Sequence, residues 1–74
     1  MIGMLWFDNN PKASLDQKLG QAADYYTKKY GPRPTWCMVH PSVLGDVAPA
    51  GPIRVIPDRH ILPNHFYLGV GDGG

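Results

Sequence analysis

The stretch from Ser14 to Pro41 has the sequence SLDQKLGQAADYYTKKYGPRPTWCMVHP. Its first part predicts one amphipathic helix, because apolar side chains recur there with the 3.6-residue period of a helix that buries one face. Ser14 and Gln17 have the spacing of a capping box, which predicts that the helix begins directly after Ser14. The apolar stripe consists of Leu15, Leu19, Ala22, Ala23, Tyr26 and Tyr30.

The second part of this stretch predicts a strand. Gly31 suits the left-handed residue that ends a helix, and the prolines at positions 32 and 34 prevent the helix from continuing beyond Tyr30. Thr35 to His40 is rich in strand formers and stops at Pro41, so we expect a strand of about six residues. Alternation places Trp36, Met38 and His40 on one face, and Thr35, Cys37 and Val39 on the other.

Outside this stretch the chain predicts three more short strands and no further helix. Met4 to Phe7 precedes the helix, while Ile53 to Ile56 and His65 to Val70 lie in a second half that prolines and glycines divide. Ser42 to Ala50 is predicted to be a loop, and residues 71–74 a frayed tail. The sequence therefore predicts a single domain over residues 1–74, with an ordered core of about residues 4–70.

The predicted fold class is α+β, or a small α/β fold, with the order strand, helix, strand, strand, strand. One amphipathic helix packs on a small mixed sheet. A helix of about 16 residues is only about 24 Å long and cannot cover both faces of a sheet. We expect four apolar side chains to occupy the face that it leaves, and these are Trp6, Trp36, Met38 and Tyr67.

Composition excludes several classes of function and favours an interaction protein. The formal net charge is +1, which gives no global attraction to nucleic acid or to a membrane surface. A single cysteine points to a reducing compartment, and no signal peptide or membrane span is recognisable, so we expect a cytoplasmic protein. The leading hypothesis is a non-enzymatic homo-oligomer without a cofactor, whose assembled surface binds an unknown protein partner.

A rival hypothesis is a nucleic-acid-associated accessory protein that uses the basic end of the helix. Lys28, Lys29 and Arg33 lie close to tyrosines, and such a combination can hold phosphates and stack bases. The alternative explanation is that lysines collect at a helix C-terminus because they complement the helix dipole. Nucleic acid is therefore a possible partner that the sequence does not favour.

A third hypothesis is a small enzyme that uses Asp8 and His40. These residues follow two predicted strands, and their side chains would lie together if the strands were parallel neighbours. The alternative explanation is that Asp8 caps the turn after its strand and that His40 bonds a nearby carbonyl.

A metal site and a cysteine nucleophile are disfavoured by the spacing. The candidate ligands are Cys37, His40, His60 and His65. Positions 37 and 40 point to opposite faces of one strand, so a single metal ion cannot take both. Cys37 in an apolar strand is expected to be a packing residue whose thiol pKa is raised.

After the helix the chain carries the motifs Gly31-x-Arg33-Pro34-x-x-Cys37-x-Val39-His40-Pro41 and then Ile53-x-Val55-x6-Leu62-Pro63-x-x-Phe66-x-Leu68-Gly69. This order of motifs resembles a run in the major capsid proteins of tailed phages and their encapsulin relatives. The resemblance covers about 55 residues, and it implies a small core that assembles with copies of itself. Capsid chains are several times longer, and their spine helix and extended arm have no counterpart here. The pattern Trp6-Phe7-Asp8-Asn9, together with Tyr25-Tyr26 and Arg33-Pro34, also looks like small uncharacterised bacterial proteins of similar length, which implies no function.

Overall fold

The computed structural model describes residues 3–44 and 52–71, which form one mixed sheet and two helices. These elements confirm the α+β class and the order strand, helix, strand, strand, strand, with one short helix added. Each strand lies within two residues of its predicted bounds. The strands are β1 (Gly3–Phe7), β2 (Trp36–Val39), β3 (Arg54–Pro57) and β4 (His65–Gly69), and the helices are α1 (Leu15–Tyr30) and α2 (Pro41–Leu44).

The strands of the sheet lie in the order β1, β4, β2, β3. The last strand, β4, is antiparallel to both β1 and β2, while β2 and β3 are parallel. It follows that β1 and β2 run in the same direction but are not neighbours. The helix α1 connects these two strands and packs over β4, which lies between them.

The helix α1 begins and ends as its sequence predicts. Ser14 is the N-cap, and its hydroxyl accepts the Gln17 backbone N–H at 3.1 Å while the Gln17 side chain accepts the Ser14 N–H at 2.9 Å. Gly31 has a φ of +102°, a backbone conformation that residues with a side chain rarely adopt. Its N–H donates to the carbonyl of Thr27. The capping box and the C-terminal glycine therefore set the length of the helix.

The main core lies between α1 and one face of the sheet, which we call the helix face. The buried stripe of α1 packs there against side chains from all four strands or their ends. Burial of this apolar area drives folding, since removing it from water contributes about 25 cal/mol per Å². The core consists of Met4, Leu19, Ala22, Ala23, Tyr26, Cys37, Val39, Ile53, Phe66 and Leu68.

The prediction of a loop from Ser42 to Ala50 is wrong for its first residues, because Pro41–Leu44 forms the short helix α2. Pro41 occupies the first helical position, where a fixed φ is favourable and the missing N–H costs nothing. The carbonyl of His40 accepts the N–H of Val43 at 2.9 Å. The remainder of that predicted loop, residues 45–50, and residues 72–74 of the predicted tail lie outside the described residues.

Candidate functional site

The candidate site is the sheet face opposite α1, which we call the second face. Its central row crosses all four strands, because Leu5 pairs with Tyr67, Tyr67 with Met38, and Met38 with Ile56. Residues directly opposite each other in neighbouring strands project to the same side of the sheet. The row is therefore continuous and carries no charged group.

Two aromatic rings lie flat on one end of the second face, each over a glycine. The indole of Trp36 lies over Gly69, and the phenol of Tyr67 lies over Gly3. The two rings also contact each other, with centroids 5.6 Å apart. Only 3% of Trp36 is exposed, and its Nε1 is buried without a hydrogen-bond partner in the described part of the chain. Trp36 is thus held by packing rather than by polar contacts.

The β1 side of the second face is open to solvent. Leu5 is 60% exposed and Phe7 is 55% exposed, which is unusual for two large apolar residues of one short strand. The ring of Phe7 contacts the imidazole of His65 at a centroid distance of 5.0 Å. Met38, Tyr67 and Ile56 are half-buried. An apolar surface of this kind is typical of a contact with another protein.

Three of the four predicted interaction residues lie together on this face. Trp36, Met38 and Tyr67 share it, whereas Trp6 projects from β1 to the helix face. There the Trp6 ring packs against Tyr25 of α1, with centroids 5.0 Å apart. The structure therefore separates Trp6 from the other three.

Leu5 and Phe7 were not among the predicted interaction residues, although the sequence contains a signal for them. Met4 and Trp6 alternate with Leu5 and Phe7 in β1, so the two pairs must point to opposite faces. Which pair faces the helix depends on how β1 pairs with β4, and alternation alone does not give that register.

Asp8 and His40 are held by separate local contacts. The strand β4 lies between the strands that they follow, so the neighbouring arrangement that would join them is not formed. Two strand spacings amount to about 10 Å. Asp8 Oδ1 accepts the N–H of Asn10 at 2.9 Å, and His40 Nδ1 accepts the N–H of Ser42 at 3.1 Å. Each side chain thus caps the turn that follows it.

The residues weighed as metal ligands are also dispersed. Within residues 3–44 and 52–71, no group of three or more His, Cys or Asp side chains converges. Cys37 is fully buried, and this burial raises the pKa of its thiol to about 12, against a smaller opposing effect of the Tyr67 backbone hydrogen bond. His60 Nδ1 lies 3.0 Å from Asp58 Oδ1 on the surface.

The basic end of α1 is exposed but partly neutralised. Arg33 forms an ion pair with Asp24, with 3.1 Å between Nη1 and Oδ1. Lys28 and Lys29 are exposed, and the ammonium of Lys29 lies 5.4 Å from the centroid of the Tyr30 ring. Two lysines and one tyrosine offer only a small cationic surface for an anion such as a phosphate, and nucleic-acid binding there stays a prediction.

No family model, curated protein or solved structure matches this chain. The resemblance to phage capsid proteins therefore stays a prediction. Among the described residues, neither helix has the length and the apolar character that crossing a membrane requires.

Proposed function

We propose that this protein is a non-enzymatic interaction protein that self-associates through the second face. The observation that carries the proposal is the uncharged central row of Leu5, Tyr67, Met38 and Ile56, which crosses the whole sheet opposite α1. Water in contact with such a row is unfavourable, so a partner that covers it gains the free energy of apolar burial.

A second copy of the chain fits this surface better than a charged partner does. In a two-fold contact, residue i of one copy meets residue j of the other and the reverse, and only residues at the axis meet their own copy. A charge at the centre of the contact would therefore face an identical charge and be repelled. The central row has none, and Arg54 and His65 lie in the two flanking rows. Two copies can therefore oppose their central rows without placing like charges in contact.

Substitution of Met38 by lysine tests this proposal. Met38 is half-buried in the middle of the row, so a lysine there can extend its ammonium to water in a monomer. In a face-to-face contact that ammonium would be buried opposite its own copy, which costs several kcal/mol. We expect Met38→Lys to reduce the native mass, measured by light scattering during size-exclusion chromatography over a concentration series.

Gln21→Lys is the matched control, because it adds the same charge at an exposed position of α1. It should leave the mass unchanged. An oligomer that keeps its mass in Met38→Lys contradicts the face contact. Ultraviolet absorbance across the same peak tests the rival hypothesis, since co-eluting nucleic acid that is lost with rising salt would favour the basic end of α1.

A further inference from the structure

The outer edge of β1 is a second surface that the proposed function does not use. Within the described residues, β1 pairs with β4 on one side and with no strand on the other. Such an edge presents a row of backbone donors and acceptors that can pair with another strand. The other edge strand, β3, is different, because it carries an exposed Arg54 and ends in Pro57, which lacks an N–H.

The register shows which backbone groups of β1 face outward. In an antiparallel pair, opposite residues alternately exchange two hydrogen bonds and none. Asp8 donates its N–H to the carbonyl of Asn64 at 2.9 Å, so the pairs bonded to β4 are those of Asp8, Trp6 and Met4. The N–H and C=O groups of Gly3, Leu5 and Phe7 therefore point away from β4.

The side chains along this edge are apolar on both faces of the sheet. Leu5 and Phe7 are exposed on the second face, and Tyr25, which is 47% exposed, packs against Trp6 on the helix face. Of the four large apolar residues that are exposed in the described part of the chain, three thus lie in β1 or beside it, the fourth being Leu62. The strand itself, GMLWF, has no charge and no proline, which are the usual means of protecting an edge.

From this geometry we infer that β1 pairs in antiparallel orientation with β1 of a second copy, centred on Leu5. That register places Leu5 opposite Leu5 of the second copy and Gly3 opposite Phe7. These residues have outward-facing backbone groups, so the Leu5–Leu5 pair and both Gly3–Phe7 pairs are hydrogen-bonded, while the intervening pairs of Met4 with Trp6 are not. A strand that pairs with itself in this way needs no partner of different sequence.

The size of the second face also favours a second copy over an unrelated strand. Four strands about 4.8 Å apart and four or five residues long span at most roughly 19 by 16 Å, or about 300 Å², which is small beside the roughly 800 Å² that each partner buries in a standard interface. A two-fold axis through the β1 pair joins the two second faces into one continuous eight-stranded surface. Only another copy extends the central row in this way.

The edge contact is independent of the face contact, and proline at position 5 separates them. The N–H of Leu5 points outward, so Leu5→Pro removes a donor from the edge and leaves the β1–β4 bonds in place. Leu5→Ala is the matched control, because it shortens the side chain and keeps that N–H. We expect Leu5→Pro to raise the dimer dissociation constant at least tenfold more than Leu5→Ala does, as measured by light scattering.

The outcomes distinguish this inference from the proposed function. A mass that falls in Leu5→Pro but not in Met38→Lys supports the edge contact and contradicts the face contact. A mass that falls in Met38→Lys and is equal in Leu5→Pro and Leu5→Ala overturns the edge contact alone. A wild-type chain that is monomeric at every concentration overturns both.

A disulfide gives a second test that does not depend on the folding of the proline variant. Directly opposite residues in a hydrogen-bonded pair have Cα atoms about 5.5 Å apart, which is within the range that a disulfide spans. Leu5→Cys should therefore form a covalent dimer under mild oxidation. Arg59→Cys is the control, since it places an exposed thiol in the turn after β3, at the opposite edge. Equal rates of cross-linking in the two variants would overturn the inference.

Discussion

Trp36 of β2 lies with its indole ring against Gly69, the residue directly opposite it in β4. A Cβ atom on Gly69 would lie 2.7 Å from Cη2 of that ring, closer than real Cβ contacts occur. The absence of a side chain at position 69 therefore allows the largest side chain of the second face to lie flat and buried. The ring of Tyr67 similarly lies over Gly3, which is diagonal to it rather than directly opposite, since the residue opposite Tyr67 in β1 is Leu5.

Gly69→Ala should destabilise the protein. The added methyl group meets the six-membered ring of a buried Trp36, which cannot move without losing its packing, and overpacking of this kind costs about 1–3 kcal/mol. Urea denaturation followed by tryptophan fluorescence measures the loss. Gly3→Ala is the control, because it meets the outer end of a half-buried Tyr67 that can swing away, so it should cost less. Equal stability of Gly69→Ala and wild type would contradict this packing.

Gly20→Ala should have the opposite effect. Gly20 lies in the interior of α1. A Cβ added there would have no atom within 4 Å apart from its chain neighbours and the nearby backbone of the helix itself. Alanine removes backbone freedom from the unfolded chain and should increase the free energy of unfolding by about 0.5–1 kcal/mol. The same urea titration measures the gain. A loss of stability would show that the position is crowded.

Local signals in the sequence were sufficient for the helix and strands but not for the order of the strands. The capping pair of Ser14 and Gln17 and the period of α1 act over a few residues, so both are readable in the chain. The placement of β4 between β1 and β2 depends on pairing between residues about 60 positions apart, such as Met4 with Leu68. Alternation within a strand carries no information about that pairing.

In the candidate site, too, local sequence signals predicted some features, while features that depend on long-range strand pairing were not predictable. Alternation in β2 correctly placed Trp36 and Met38 on one face and Cys37 on the other. Trp6 lies on the helix face because it pairs with Phe66 of β4, which is a core residue on that face. The sequence of β1 alone does not give this pairing. The separation of Asp8 from His40 has the same cause, because the inserted strand is a long-range feature of the sheet.

Asp58 should titrate below the ordinary range of an aspartate. The backbone N–H of His60 donates to its carboxylate at 2.8 Å, and the His60 ring lies 3.0 Å from the same oxygen, so both contacts lower the pKa of Asp58. A lowered pKa in the folded state means that the stabilisation is present above the unfolded pKa and is lost as the pH falls through the folded one. NMR titration of the Asp58 carboxyl carbon measures this.

The variant His60→Ala separates the two contacts with Asp58. It removes the ring and keeps the backbone N–H, which is the larger cause of the shift. We expect the pKa of Asp58 to rise toward the ordinary value in this variant without reaching it. An Asp58 that titrates at the ordinary value in the wild-type protein would contradict the turn geometry.

Cys37 should be nearly unreactive toward thiol reagents while the protein is folded. Its side chain is fully buried on the helix face, and burial raises the pKa of the thiol to about 12. The thiolate is the reactive species, and relative to an ordinary pKa of about 8.5 its population at neutral pH is lower by a factor on the order of a thousand. Labelling with a chromogenic disulfide reagent should therefore be slow and should accelerate as urea increases the unfolded fraction.

The same pKa shift predicts how stability depends on pH. Above the thiol pKa of the unfolded chain, about 8.5, the unfolded state loses its proton while the folded state keeps it. The unfolding free energy should therefore decrease as the pH rises through this range. Cys37→Ala lacks the thiol, so the difference between its pH profile and that of the wild type isolates the contribution of Cys37. Labelling of the wild-type protein at the rate of a free thiol without urea, or parallel pH profiles for the two proteins, would contradict the burial of Cys37.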